Sequence, residues 1–113
     1  MNILVLEDDK AVAELYLSAL TLAGHNVRVF HSFEDARREL KTHLPDALLT
    51  DVRLGGYNGL QLALHYRMLS PNGRILVVSG HDDVTIRREA ANVGAEFFVK
   101  PIDMEVLLGF FVA

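Results

Sequence analysis

The sequence contains no cysteine, so it can form no disulfide framework, no thiolate metal site and no cysteine nucleophile. It also lacks any apolar run near the roughly 20 residues that a transmembrane helix needs. Half of its 113 residues are hydrophobic, which is ordinary for a globular protein with a buried core. This length fits a single domain, and we expect it to span residues 1–113.

Positive charge is in deficit, with 11 Lys and Arg against 15 Asp and Glu and a net charge of -4. This balance argues against direct binding of a nucleic-acid backbone by the chain. Two basic pairs, Arg37 with Arg38 and Arg87 with Arg88, fall in helix-like stretches. Each pair could be part of a solvated helix face or a docking point for a partner. The N-terminus lacks the basic region and cleavage site of a signal peptide. We therefore expect a cytoplasmic protein without membrane contact.

Short apolar runs alternate with stretches in which apolar residues recur at helical spacing. Strands are expected at 3–6, 27–30, 47–50, 75–78 and 97–99. Helices are expected over about 9–23, 32–42, 60–70, 82–92 and from 103 onward. In the first helix the apolar stripe consists of Val12, Leu15, Ala19 and Leu22. Strands that alternate with helices predict parallel crossovers and an α/β doubly wound fold.

Several residues mark the ends of these helices. Gly24 and Gly94 are placed to end the first and fourth helices in left-handed caps. Ser32 is placed to cap the start of the second helix, and either Asp82 or Asp83 the start of the fourth. The second strand alternates in polarity, which favours an edge position with one wetter face.

Four of the five expected strands end in chemically useful polar residues. Glu7 and Asp8 follow the first strand, Asp51 the third, Ser79 the fourth and Lys100 the fifth. Ligands of open parallel sheets bind beyond the carboxyl ends of the strands, where the strand order reverses. With the flavodoxin-like order 2-1-3-4-5, a five-stranded parallel sheet of (βα)5 topology brings these side chains to one cleft.

Clustered carboxylates repel each other by about 4 kcal/mol for a pair 4 Å apart at an effective dielectric constant near 20. A raised pKa, a cation or both must offset that cost. Lys100 supplies one positive charge, and Mg²⁺ suits the remaining oxygen ligands. Asp51 could then act as a nucleophile that forms an aspartyl phosphate, and the Ser79 hydroxyl could bond a phosphoryl oxygen.

Each of these residues also has a purely structural interpretation. Asp8 and Asp9 could cap a helix. Asp51 and Ser79 could form turns before glycines, and Lys100 could be an ordinary surface lysine. These interpretations explain the residues one at a time, but not their common position at one edge of the sheet. An isolated charge at the end of a buried strand, as Asp51 would be, is also costly.

Five segments, taken in order, match one known family. They are residues 3–9 (ILVLEDD), 49–52 (LTDV), 58–59 (NG), 77–80 (VVSG) and 99–101 (VKP). Over essentially its whole length the chain resembles the receiver domain of two-component response regulators. The resemblance implies that Asp51 accepts a phosphoryl group from a histidine kinase or phosphotransfer protein, without the chain being an enzyme in its own right.

The resemblance also implies the roles of the surrounding residues. Mg²⁺ would be held by Glu7 and Asp8, directly or through water, together with Asp51 and the backbone carbonyl of Arg53. Lys100 would pair with the phosphoryl group and precede a cis peptide bond to Pro101.

Ser79 would supply the hydroxyl that responds to phosphorylation, the switch hydroxyl. Phe97 would be the switch aromatic, whose side-chain rotamer reports phosphorylation, or it is simply a core residue. Phosphorylation would then alter the face formed by helix 4, strand 5 and helix 5. That face could contact an output domain or a second copy in a homodimer. A receiver-like interaction module that works without phosphorylation is the alternative, and a phosphatase is disfavoured because Arg53 stands where a second Asp is needed.

Three features depart from the family pattern or vary within it. Gly55 stands where a proline is usual, which should loosen the loop after Asp51. His81 occupies a position where the family varies and where dephosphorylation is tuned. The last helix is short, so we expect it to be truncated and any output domain to be absent from this chain.

Overall fold

In the computed structural model, which describes residues 1–54 and 57–112, strands and helices alternate along the chain. The strands are β1 (Asn2–Leu6), β2 (Asn26–Phe30), β3 (Ala47–Asp51), β4 (Arg53–Leu54), β5 (Tyr57–Asn58), β6 (Arg74–Ser79) and β7 (Glu96–Val99). The helices are α1 (Lys10–Leu22), α2 (Phe33–Thr42), α3 (Gly59–Leu69), α4 (Val84–Asn92) and α5 (Met104–Phe110).

The main sheet has five parallel strands in the order β2-β1-β3-β6-β7. Because β6 and β7 are its fourth and fifth strands along the chain, the predicted order 2-1-3-4-5 is confirmed. The strand order reverses at β1, which pairs with β2 on one side and with β3 on the other. At that reversal Leu6 pairs with Thr50, so the ends of β1 and β3 lie side by side.

A short hairpin between β3 and α3 was not expected from the sequence. Arg53 pairs with Asn58 and Leu54 with Tyr57 in an antiparallel ladder, where the sequence indicated a plain loop. Strands of two residues are too short for their periodicity to show in a sequence. Gly55, which replaces the usual proline, lies outside the described residues.

The two faces of the sheet carry separate hydrophobic cores. Helices α2, α3 and α4 cover one face, where Leu40, Tyr66 and Ala90 pack against side chains of β1, β3 and β6. Helices α1 and α5 cover the other face through residues such as Leu20 and Leu107. Strands buried on both faces read as continuous apolar runs, which explains why β1, β3 and β6 were recognisable in the sequence.

The face of α1 that meets the sheet differs from the predicted stripe. Leu15 is 60% exposed and Leu22 is 91% exposed, so they face solvent. Ala13, Tyr16 and Leu20 are buried instead. Both sets have helical spacing, and an apolar-rich helix therefore offers two candidate faces that periodicity alone does not distinguish.

The predicted helix ends agree with the structure. Gly24 and Gly94 have left-handed backbone angles, with φ of 96° and 70°. The Ser32 hydroxyl accepts a hydrogen bond from the Asp35 amide at 3.2 Å. Of the two candidates for α4, Asp83 is the cap, since its carboxylate accepts from the amides of residues 85 and 86.

Arg67 on α3 joins two loops at the end of the sheet opposite the acidic residues, a role with no signal in the sequence. Its guanidinium donates hydrogen bonds to five backbone carbonyls at 2.8–3.2 Å, those of Ser70, Pro71, Gly73, Val93 and Gly94. These carbonyls belong to the turn before β6 and the turn before β7. The fork-shaped guanidinium suits this task because it presents several donors in fixed directions.

We predict that Arg67→Met lowers the free energy of unfolding by about 3 kcal/mol, because several carbonyls lose a charged donor at once. Arg67→Lys should recover only part of this loss, since an ammonium cannot reach both turns. Urea unfolding followed by circular dichroism measures the change. Arg38→Met is the control, because Arg38 forms an exposed ion pair with Asp35. Equal stability of the Arg67 and Arg38 variants would contradict the bridging role.

Candidate functional site

Three carboxylates meet where β1 and β3 end. Glu7 and Asp8 follow β1, and Asp51 is the last residue of β3. One carboxylate oxygen from each of the three lies within 4.8 Å of the others. Glu7 is fully buried and Asp51 is 7% exposed, whereas Asp8 faces solvent. The cluster is therefore a pocket with two buried acids and one acid at its opening.

Backbone hydrogen bonds position the pocket. The Glu7 amide donates to the Phe30 carbonyl at 3.0 Å, which extends the pairing of β1 with β2. The Val52 amide donates to the Val78 carbonyl at 3.1 Å and continues the pairing of β3 with β6. The acids thus project from strand ends that the sheet holds in register, rather than from free loops.

Lys100 bridges two of the three acids. Its Nζ donates to Glu7 Oε1 at 2.6 Å and to Asp51 Oδ2 at 3.1 Å. Burial alone would lower the pKa of Lys100, but the hydrogen bonds to Glu7 and Asp51 outweigh it and the pKa lies above its ordinary value. The ammonium therefore stays charged and partly neutralises the pocket.

Glu7 remains under electrostatic strain despite this partner. Burial raises the pKa of Glu7 above its ordinary value, and the charge of Asp51 adds to the increase. Hydrogen bonds from Lys100 and from the Asp9 amide act in the opposite direction but do not cancel it. A second cation would favour the ionised form of these buried acids and would find oxygen ligands there.

The neighbouring acids Asp8 and Asp9 have different positions and tasks. The Asp9 carboxylate caps α1 by accepting from the Ala11 and Val12 amides at 2.9 and 3.2 Å. Asp8 is not needed as a cap and belongs to the carboxylate cluster. The helix-cap interpretation therefore holds for Asp9 but does not account for Asp8.

Ser79 and Lys100 form the other wall of the pocket. Ser79 ends β6 with no exposed surface, and its hydroxyl oxygen accepts a hydrogen bond from the His81 amide at 3.2 Å. The Lys100 amide donates to the Ser79 carbonyl at 2.7 Å, which ties the ends of β6 and β7 together. The peptide bond between Lys100 and Pro101 is cis, and the His81 side chain faces solvent.

Phe97 lies on β7, three residues before Lys100. Its ring is half-buried and packs against the core under α3 and α4. The guanidinium carbon of Arg87 lies 4.8 Å from the centre of this ring. Phe97 thus contacts the core and an exposed helix side chain together.

Gly59 and Thr50 support Asp51 in a way that sequence reasoning missed. A Cβ atom on Gly59 would lie 1.7 Å from the Asp51 carbonyl oxygen and 2.6 Å from Thr50 Oγ1. The Thr50 hydroxyl donates to that same carbonyl at 3.1 Å. The start of α3 therefore packs directly against the backbone of Asp51. A polar Thr in an otherwise apolar strand was the available signal.

Comparison with known proteins agrees with this arrangement. The family described as Response regulator receiver domain matches residues 3–110. The chain belongs to this family, whose members are signalling switches of two-component systems rather than classical enzymes. None of the helices in the described part of the chain is long and apolar enough to cross a membrane.

Two curated relatives illustrate the similarity. Response regulator MprA of Mycobacterium avium is 33% identical over 109 residues, which cover 96% of this chain and 48% of the relative. Response regulator MprA of Mycobacterium tuberculosis is 32% identical over 109 residues, with 96% and 47% covered. The chain thus spans about half the length of the curated relatives it matches.

Solved structures share the fold. A response regulator from Burkholderia pseudomallei, described with a phosphorylated aspartic acid, calcium ion and citrate, is 27% identical with a TM-score of 0.90. The match covers 99% of this chain and 66% of that one. A CheY-like receiver domain protein from Methanospirillum hungatei is 22% identical with a TM-score of 0.90, covering 96% and 87%.

We predict that Gly59→Ala destabilises the protein by about 2 kcal/mol, because the new methyl group must displace backbone atoms of Asp51. Gly109→Ala is the matched control, since a Cβ there meets nothing within 4 Å. In helix α5 that change should stabilise slightly, by about 0.5 kcal/mol. Thermal unfolding of both variants measures the difference. If Gly59→Ala proves as benign as Gly109→Ala, the close approach of α3 to Asp51 is wrong.

A second prediction concerns Glu7→Gln, in which the amide imitates the protonated carboxyl group. The folded-state pKa of Glu7 is raised above the unfolded value of 4.5, so the folded state binds the proton more tightly. Glu7 therefore contributes stability at low pH that disappears as the pH rises through its folded-state pKa. With a chelator present, the variant should melt above the wild type at pH 7, and the gap should close near pH 4. If the wild type is more stable than the variant at pH 7, burial of the ionised Glu7 side chain does not lower the stability.

Proposed function

We propose that this chain is a phosphoryl-accepting switch in which Asp51 takes a phosphoryl group from a histidine kinase or phosphotransfer protein. The observation that carries the proposal is the Asp51 carboxylate, held 3.1 Å from the Lys100 ammonium within a cluster of three acids. Family membership supports it. The Burkholderia relative described with a phosphorylated aspartic acid supports it as well.

Asp51 is suited to act as the nucleophile. Its Oδ2 accepts from Lys100, which leaves Oδ1 for in-line attack on phosphorus. A bond forms between the carboxylate oxygen and phosphorus, while the bond from phosphorus to the donor breaks and its electron pair leaves with the donor. Because the carboxylate needs no deprotonation, no general base is required for this step.

Lys100 and Ser79 would bind the oxygens of the phosphoryl group once it is on Asp51. The Lys100 ammonium already touches Asp51, so it can bond a phosphoryl oxygen after a small movement. The buried Ser79 hydroxyl now accepts from the His81 amide and retains its own proton for donation to a second phosphoryl oxygen. Movement of Ser79 would carry the segment that leads into α4.

A divalent cation fits the pocket, and we assign it as Mg²⁺, held by Glu7, Asp8, Asp51 and the backbone carbonyl of Arg53. The donors are all oxygens, the three carboxylates lie close together, and Asp8 is exposed at the opening of the pocket. Burial raises the pKa of Glu7, and a bound cation would offset that cost of ionising the side chain. When bound, the cation neutralises charge on the transferring phosphoryl group.

The output of the switch would be the face formed by α4, β7 and α5, with Phe97 as its reporter side chain. We propose that residues 1–113 form the receiver unit and that this face contacts an output domain or a second copy of the chain. The half-length match to response regulators supports an output domain elsewhere in the complete protein. The cytoplasm, where phosphodonor proteins of this kind act, is the proposed location.

The decisive variant is Asp51→Asn. Incubation of the wild type with acetyl phosphate and Mg²⁺ should add one phosphoryl group, measured by intact mass, and Asp51→Asn should abolish it. Chelation of the metal should slow the reaction by at least about tenfold.

Asp46→Asn is the control for loss of one acid, because Asp46 lies at the opposite end of β3, where its carboxylate accepts from the Asn2 amide at 2.8 Å. Its labelling should match that of the wild type. Labelling of Asp51→Asn at the wild-type level would refute Asp51 as the acceptor. An unlabelled wild type would instead favour an interaction module that works without phosphorylation.

A further inference from the structure

Arg87 on α4 contacts Phe97, and this contact has no role in the switch as proposed so far. Its guanidinium carbon lies 4.8 Å from the centre of the Phe97 ring, within the range of a cation–π interaction. Arg87 is 49% exposed, while the ring below it is half-buried. The guanidinium therefore lies over one face of the half-buried ring.

Asp82 holds this guanidinium in place. Arg87 Nε donates to Asp82 Oδ1 at 2.5 Å, and this hydrogen bond lowers the pKa of the Asp82 carboxyl group. The adjacent Asp83 caps α4 instead, so the two acids have separate partners. Asp82 is thus free of helix capping and available to orient Arg87.

These contacts connect the acidic pocket with the face formed by α4, β7 and α5. Asp82 comes three residues after Ser79, and the intervening His81 amide donates to the Ser79 hydroxyl oxygen. A displacement of Ser79 toward a phosphoryl group would break that hydrogen bond and move the segment that carries Asp82. Arg87 would lose its partner, and the ring of Phe97 would lose its cover.

We propose that Arg87 is a positioning residue that holds the Phe97 ring in the orientation compatible with a free Asp51 carboxylate bonded to Lys100. This inference rests on the proposed function, because it assigns a further residue to that switch. Exposed ion pairs and cation–π contacts are individually weak, so the pair biases the equilibrium between two ring orientations rather than locking it. By linkage, removal of the bias strengthens binding of a phosphoryl group or its mimic at Asp51.

The test compares Arg87→Met with Arg88→Met, which removes the same charge from the next residue on an exposed part of α4. Each variant is titrated with beryllium fluoride in Mg²⁺, and the amide signals of Ser79 and Phe97 are followed by NMR. Arg87→Met should bind about threefold more tightly than the wild type, as expected for loss of an exposed cation–π contact. Arg88→Met should match the wild type.

Two further variants separate positioning from a general effect of charge. Asp82→Asn should shift the affinity in the same direction as Arg87→Met. Arg87→Lys should restore part of the wild-type value, since an ammonium also binds aromatic faces. In the free Arg87→Met protein, the ring resonances of Phe97 should move toward those of the saturated wild type.

The outcomes are distinct. If the wild type responds at Ser79 and Phe97 but Arg87→Met has the same affinity and ring signals, the role of Arg87 is overturned and the proposed switch stands. An equal gain in affinity for Arg88→Met would also overturn it, because net charge would then explain the effect. A wild type that shows no response at Ser79 would overturn the switch and the Arg87 inference together.

Discussion

The bridge from Lys100 to Glu7 and Asp51 is the interaction on which the site depends. Three carboxylates within 4.8 Å of one another would repel strongly, and the Lys100 ammonium at 2.6 and 3.1 Å is the positive charge that the chain itself supplies. It does not fully offset the cost of ionising buried acids, since burial, with a smaller contribution from Asp51, still raises the pKa of Glu7. On the proposed function, this residual cost favours a divalent cation in the pocket and then a phosphoryl group on Asp51. The electrostatic cost of the folded pocket is thus the source of its chemistry.

The sheet makes this cluster possible because it fixes residues that are far apart in sequence. Glu7, Asp51 and Lys100 leave three different strands, and backbone hydrogen bonds continue past the strand ends to hold them. Gly59 lets α3 approach the Asp51 backbone without a side chain in between. The pocket is therefore rigid on the side of the acids. The segment from Ser79 to Asp82, in which the His81 amide donates to the Ser79 hydroxyl oxygen, is the part that is proposed to move.

Much of the fold was predictable because parallel strands buried on both faces read as continuous apolar runs in the sequence. The alternation of parallel strands with helices followed from the apolar runs. The convergence of the acids followed from what stood at the end of each run, once the order 2-1-3-4-5 was assumed. The buried face of α1 could not be predicted, because Leu15 and Tyr16 lie on two apolar stripes with the same helical spacing. The hairpin β4–β5 was too short to show. Contacts such as Arg87 with Phe97, or Arg67 with five carbonyls, depend on side-chain directions between distant segments, which no local pattern encodes.

The central claim is that acids from two strands share one cation beside Lys100. The most direct measurement is a crystal structure of the wild-type chain grown in Mg²⁺. We predict one octahedral ion with oxygen ligands from Asp8, Asp51 and the Arg53 carbonyl at about 2.1 Å. Glu7 should bind it directly or through one of the waters that complete the octahedron. The Lys100 ammonium should remain within hydrogen-bonding distance of Asp51. A structure in which the pocket takes up no cation at saturating Mg²⁺, or in which the ion binds without Asp51, would contradict the claim.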